Sequence, residues 1–81
     1  MPTLFHVGAY RVVVYLNDHA PAHVHAVGAE GEGRFALGNE PGDVRLMEVS
    51  GISRSDLRRI VAAIIDRHQE CLDIWRSIHG H

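Results

Sequence analysis

The spacing of apolar residues changes once along this chain of 81 residues, and that change constrains the fold more than any other feature. Before Ser50, apolar side chains tend to alternate with polar ones, which is the period of a β-strand. After Gly51, they recur at steps of three and four residues, which is the period of an amphipathic helix. The sequence therefore predicts an α+β fold, with a sheet in residues 1–50 and a helix in residues 53–79.

The first part of the chain contains five segments with strand-like composition. They cover residues 3–7, 10–16, 21–27, 34–37 and 44–49. Segment 10–16 shows the pattern best, because its β-branched and aromatic residues favour extended backbone. Gly28, Gly31 and Gly33 lie between the third and fourth segments and permit the positive φ of a hairpin turn. We expect an antiparallel sheet of four or five strands, with the last segment at one edge.

The second part of the chain predicts one long C-terminal helix packed on one face of the sheet. Ser53 and Asp56 form a capping box at its start, and Gly80 can end it. The apolar stripe consists of Leu57, Ile60, Val61, Ile64, Ile65, His68, Leu72, Trp75 and Ile78. At 1.5 Å per residue the helix would be roughly 40 Å long, longer than a small sheet is wide. We expect Leu72 and Trp75 to be buried, in the core or in a homodimer interface, with the helix end overhanging the sheet.

The length and composition predict one domain that covers residues 1–81. A chain of this length buries only roughly 60–65% of its unfolded surface, so a partner or a second copy would add stability. The single cysteine, Cys71, allows no intramolecular disulfide, and we expect Cys71 and His68 to be core residues of the helix. The N-terminus lacks a signal-peptide pattern, and no apolar run approaches ~20 residues. We therefore expect a cytoplasmic protein without a membrane span.

The stretch on either side of Pro21 is the densest run of groups that can bind a metal, move a proton or hold a phosphate. It contains three of the seven histidines of the chain. Beyond Pro21, the period of two places His23 and His25 on the same side of a strand, with Cα atoms about 7 Å apart. The polar residues before the proline favour a turn, from which Asp18 or His19 could reach the two imidazoles.

The same stretch predicts a site for a divalent metal, which would be the cofactor of the protein. His19, His23 and His25 could each supply one imidazole nitrogen. A catalytic zinc ion takes three protein ligands and a structural one takes four. Asp18 or a second chain could complete the set.

The alternation of the strands assigns the remaining polar residues to a shared face. The helix must cover the face formed by Tyr10, Val12, Val14, Leu16, Ala22, Val24, Ala26, Phe35 and Leu37. The opposite face then carries Arg11, Tyr15, His23, His25 and Arg34. One guanidinium group can donate two parallel hydrogen bonds to the oxygens of a phosphate, and imidazoles exchange protons near neutral pH.

That face predicts two roles and leaves two simpler interpretations open. The catalytic candidates are His23, His25 and Tyr15, and the ligand- or phosphate-binding candidates are Arg11, Arg34, Asp18 and His19. The two histidines could equally belong to a solvated strand face, or to a surface that contacts RNA without catalysis. The net charge of −2 argues against nonspecific nucleic-acid binding by the whole surface.

Four features of the chain together resemble a known family. They are the run Asn-Asp-His-x-Pro-x-His-x-His at residues 17–25, the glycine-rich turn, the Arg-Phe-x-Leu strand at residues 34–37 and a long helix that ends near Trp75. These features resemble the domain-of-unknown-function 4160 family of small bacterial proteins, over nearly the whole chain. Ala22 and Val24 depart from the commonest form of the motif, Pro-Pro-His-Phe-His.

The resemblance implies a component of a two-gene toxin–antitoxin-type module. Such a component would act through a small protein encoded nearby, with RNA as a second candidate partner. A histidine-driven or metal-dependent phosphodiesterase is the alternative that the shared polar face favours. A structural partner protein without catalysis is the third hypothesis, because a family or a fold does not by itself give a function.

Overall fold

The computed structural model describes residues 3–80, which form a five-stranded antiparallel sheet followed by two helices. The strands are β1 (Thr3–Val7), β2 (Tyr10–Val13), β3 (His23–Val27), β4 (Glu32–Leu37) and β5 (Val44–Ser50), and the helices are α1 (Arg54–Asp66) and α2 (His68–His79). Each strand pairs with the next one in the chain, so β1 and β5 are the two edges. The predicted α+β class and antiparallel sheet are confirmed. Neither described helix is long and apolar enough to cross a membrane.

The core lies between one face of the sheet and the two helices. The sheet and its adjoining loop contribute Phe5, Tyr10, Val12, Val14, Val24, Ala26, Phe35 and Leu37, and the helices contribute Ile60, Ile64, Cys71, Leu72 and Trp75. Leu72 and Trp75 are almost fully buried within the chain itself, so the core version of that prediction is confirmed. His68 is also buried, and its Nε2 donates to the carbonyl oxygen of Gly38 at 2.8 Å.

The prediction of one continuous helix is wrong. The chain leaves helical geometry at Arg67, where φ is −111° and ψ is 25°. The backbone hydrogen bonds continue across the bend, because Arg67 N–H donates to Ala63 and Cys71 N–H donates to Arg67. A straight helix over residues 54–79 would be about 39 Å long, whereas the longest extent of the fold is 33 Å. The bend therefore keeps both halves of the apolar stripe over one sheet, and the predicted overhang is absent from the described residues.

The glycine signal at the end of the helix is confirmed, whereas the predicted capping box shows only one of its two hydrogen bonds, because the Asp56 carboxylate accepts from Arg59 instead. The Oγ of Ser53 accepts a hydrogen bond from Asp56 N–H at 3.1 Å and caps the first turn. Gly80 adopts the left-handed conformation, with φ of 66°, which stops α2.

The prediction that Leu16 belongs to the core face is wrong. Strand β2 ends at Val13, three residues earlier than the alternation suggests, and the Leu16 side chain is 69% exposed. Residues 14–22 instead form a loop in which Val14 stays in the core and Asp18 contacts His23 and His25 of β3. His23 and His25 are consequently 8% and 9% exposed, so they do not belong to a solvated strand face.

Candidate functional site

A tight turn in the loop before β3 fixes the position of one carboxylate. The backbone N–H of Asp18 donates to the carbonyl oxygen of Tyr15 at 3.1 Å. In return, the N–H of Tyr15 donates to Asp18 Oδ2 at 3.0 Å. The local cause is the one predicted from the sequence, because an aspartate readily bonds neighbouring backbone groups in a turn. The loop also contains a cis peptide bond between Ala20 and Pro21.

The second oxygen of Asp18 faces both histidines of β3. Asp18 Oδ1 lies 3.2 Å from His25 Nε2 and 3.4 Å from His23 Nε2. All three side chains are about nine-tenths buried. The structure thus brings together a carboxylate and two imidazoles that the sequence places within eight positions of one another.

The electrostatic balance at Asp18 favours the anionic carboxylate. Burial raises the pKa of Asp18, because it removes the charged form from water. The hydrogen bond from Tyr15 N–H and the contacts with His25 and His23 act in the opposite direction and outweigh burial. The pKa of the carboxyl group is therefore below its ordinary value, and the group carries a full negative charge at neutral pH.

Aromatic rings and one backbone carbonyl hold the two imidazoles in place. The His25 ring meets the Tyr15 ring edge to face, with centroids 4.6 Å apart. The His23 ring lies 5.0 Å from the Trp75 ring of α2, and its Nδ1 lies 2.9 Å from the carbonyl oxygen of Pro21. Because a carbonyl oxygen only accepts hydrogen bonds, Nδ1 of His23 carries a proton.

The two arginines of the predicted polar face lie in different places. Arg34 pairs with Glu48 of β5 and borders two pockets, one with His25 and the other with Asp18 and His23. Arg11 borders a separate pocket with His6 of β1. The register explains the separation.

Arg34 is opposite His25 in the sheet, whereas Arg11 is opposite Val27, two residues further along β3. No single described pocket is lined by both guanidinium groups. The two arginines therefore do not form the single phosphate site that their shared face predicted.

His19 and Tyr15 also occupy different positions relative to the histidine pair. His19 is exposed and borders the pocket of Asp18, but it is outside the group of close ligand atoms formed by Asp18, His23 and His25. Tyr15 packs on His25 as a wall of the site.

Sequence reasoning missed two contributors to the surroundings of the site, Glu48 and Trp75. Glu48 neutralises Arg34 across the β4–β5 ladder, and Trp75 supports the His23 ring from the helix layer. Detecting the first needs the strand register, and detecting the second needs the docking of α2. Neither the strand register nor the docking of α2 can be inferred from the local spacing of residues.

Comparison with known proteins gives one match. A family model described as a domain of unknown function, DUF4160, matches residues 9–76, which include the whole loop before β3, strands β2 to β5 and most of both helices. No curated protein and no solved structure matches. The match covers well over half of the sequence and agrees with the resemblance carried by the histidine motif. The chain therefore belongs to the DUF4160 family, whose function is unknown.

Proposed function

We propose that this chain is one component of a two-gene toxin–antitoxin-type module and acts by binding a second small protein, encoded nearby, along strand β5. The observation that carries the proposal is the exposed apolar edge of the sheet. Leu46, Met47 and Val49 are 46%, 45% and 41% exposed. Within residues 3–80, β5 pairs with β4 on one side and with no strand on the other. An exposed apolar edge strand is a template for a strand from another chain.

The apolar residues of β5 are distributed over both faces of the sheet. Leu46 is opposite Phe35, and Val49 is opposite Gly33, which places both on the face that the helices cover. Met47 lines the pocket of Asp18 on the outer face. A strand added beside β5 would therefore gain apolar contacts above and below the ladder, in addition to backbone hydrogen bonds.

The register of β5 places a bulge in the middle of the exposed strand. Arg34 pairs with Glu48 and Phe35 pairs with Leu46, so Met47 forms a bulge. Leu46 and Glu48 consequently lie on opposite faces of the sheet. A strand that pairs along the whole of β5 must follow this change of face, because residues directly opposite in an antiparallel pair share a face.

A binding experiment with matched variants tests the proposal. The chain is co-expressed with the product of the adjacent gene, and the complex is isolated by affinity purification and sized by chromatography. We expect a stable complex with the wild type and its loss in Leu46→Asp/Val49→Asp, because charges on an edge strand oppose pairing. Ala62→Asp introduces a charge at an exposed position of α1, outside β5, and should keep the complex.

The outcome decides the proposal in both directions. Absence of a complex between the wild type and the adjacent gene product would overturn it. Retention of the complex by the double variant, with the fold verified by circular dichroism, would remove β5 as the binding surface. If the complex forms, expressing each gene alone and then both together in the native host tests the module. Growth arrest by one product, relieved by the other, is the expected result.

A second candidate function is a histidine-driven phosphodiesterase, and one specific observation favours it. The Nε of Arg34 is buried without a hydrogen-bond partner among the described residues, beside the pocket of His25. A phosphate oxygen could accept that N–H, with His25 oriented by Asp18 as the proton-transfer group. Cleavage of RNA by the wild type that falls on the order of 10²–10⁴-fold in His25→Ala, but not in His6→Ala, would support it.

Cleavage that survives in His25→Ala would exclude this site. Absence of cleavage would leave partner binding alone, as a structural or regulatory role.

A further inference from the structure

The loop before β3 and the start of β3 form a group of three ligand atoms, in which Asp18 rather than His19 joins the two histidines. Asp18, His23 and His25 each offer one such atom, and these atoms all lie within 4.8 Å of one another. We propose that Asp18 Oδ1, His23 Nε2 and His25 Nε2 bind one divalent transition-metal ion of the zinc class. This inference does not depend on the proposed binding of a partner protein.

Two of the three distances within the group match those of ligands that share one ion. Zinc lies about 2.0–2.1 Å from imidazole nitrogen and carboxylate oxygen, so two tetrahedral ligands are about 3.3 Å apart. Asp18 Oδ1 is 3.4 Å from His23 Nε2 and 3.2 Å from His25 Nε2. The ligand atoms of the third pair, His23 and His25, lie within 4.8 Å of each other, so an ion would draw the two imidazoles together around Asp18.

The other polar atoms of two ligands are already occupied in the manner of metal sites. His23 Nδ1–H donates to the carbonyl oxygen of Pro21, which leaves Nε2 for an ion. Asp18 Oδ2 accepts from Tyr15 N–H, which leaves Oδ1. Histidine ligands usually donate their second nitrogen to a carbonyl or carboxylate group, and ligating carboxylates are themselves hydrogen-bonded. The protein thus fixes the direction of both groups before any ion binds.

A metal ion would supply positive charge beside the carboxylate if His23 is neutral. With its proton on Nδ1, a neutral His23 presents a lone pair on Nε2, and this lone pair faces the Asp18 carboxylate across 3.4 Å. Two acceptors at that separation repel unless positive charge lies between them. A second proton on His23 is the alternative source of that charge, and metal titration distinguishes the two.

The position of the group leaves room for a further ligand. Asp18 and His23 line an open pocket together with His19, Arg34 and Met47. Three protein ligands and one open position are the arrangement of catalytic zinc sites, and two histidines with one carboxylate also suit iron(II). The set differs from the three histidines expected from the sequence, because Asp18 takes the place of His19.

The experiment is a metal titration of the full chain after removal of metals with a chelator. Isothermal calorimetry with zinc should give one ion per chain, and cobalt(II) should give visible absorption typical of four- or five-coordinate geometry. His23→Ala and His25→Ala should abolish stoichiometric binding. Asp18→Asn, which keeps an acceptor for Tyr15, should weaken binding at least tenfold. His19→Ala and His6→Ala are matched controls and should bind as the wild type does.

A second measurement needs no variant and remains informative if a variant fails to fold. In ¹⁵N NMR spectra of the wild type, zinc should shift the resonances of the His23 and His25 Nε2 atoms, while those of His19 stay unchanged. Loss of binding in His19→Ala, with retention in Asp18→Asn, would overturn the proposed set. Absence of one-to-one binding by the wild type, or weak binding that no variant alters, would overturn the site itself.

Discussion

Replacing Trp75 with alanine tests whether the bent helix pair holds the sheet and the histidine site together. The indole is 4% exposed and packs among the core residues. Burying a side chain of this size removes about 200 Å² from water, which corresponds to about 5 kcal/mol at 25 cal/mol per Å². Measured tryptophan and phenylalanine truncations in cores cost about 3–5 kcal/mol. A domain of this size has a free energy of unfolding of only about 4–12 kcal/mol in total, so the loss would be a large part of it.

Urea denaturation followed by circular dichroism measures the effect, because Trp75 is the only tryptophan and its fluorescence disappears with it. We expect Trp75→Ala to lose about 3–5 kcal/mol and Trp75→Phe to lose clearly less. Arg76→Ala, at an exposed neighbouring position, should change stability by at most about 0.5 kcal/mol. A loss below about 1 kcal/mol in Trp75→Ala, typical of ordinary substitutions, would refute the reasoning that α2 anchors the core through this residue.

Two further predictions concern the loop and one turn. Because the pKa of Asp18 is lowered in the fold, its carboxylate stabilises the protein above about pH 4 and this contribution is lost as the pH falls further. In the presence of a chelator, the difference in free energy of unfolding between the wild type and Asp18→Asn should become smaller as the pH falls from 6 to 3. A difference that stays constant would contradict a stabilising role of the carboxylate. Gly51→Ala should cost at least about 1 kcal/mol, because φ is +73° and the new Cβ would collide with the carbonyl oxygen of Glu30. Gly8→Ala, with φ of +58° and open space around it, is the control that isolates the collision.

The sequence predicted those parts of the fold that depend on local spacing. Alternating residues such as Val12 and Val24 identify buried strands, because a strand presents every second side chain to one face. His68 fits the helical stripe and is buried with a hydrogen bond to Gly38, as expected for a polar residue at a core position. The cap at Ser53 is equally local. Each of these features depends on residues that are close in the chain.

The parts that sequence reasoning did not predict depend on the size and register of the whole fold. No proline or glycine marks the bend at Arg67, and it is explained by a helix stripe that is longer than the sheet it must cover. Leu16 continues the alternation of β2, yet the strand ends at Val13 and the Tyr15–Asp18 turn brings Asp18 into contact with the histidines of β3.

The candidate site likewise has a part that was predictable from the sequence and a part that was not. Asp18, His23 and His25 are near one another in the chain, and a single turn brings them into contact. Arg11 and Arg34 share a face by alternation, but the pairing register places them in separate pockets. Alternation shows which face of the sheet a residue occupies. The distance between two residues on different strands also depends on the pairing register, which alternation does not show.

Met47 connects the proposed partner surface with the proposed metal site. It forms the bulge of the exposed strand β5, and its side chain lines the same pocket as Asp18 and His23. A strand added beside β5 would cover Met47 and narrow the entrance of that pocket. An ion held by three protein groups keeps a position for an outside ligand, so the partner would control whether water reaches it. Partner binding and zinc binding should therefore alter each other by one common factor, and titration of zinc with and without the partner should give dissociation constants that differ. Equal constants would show that the covered edge and the metal position are independent.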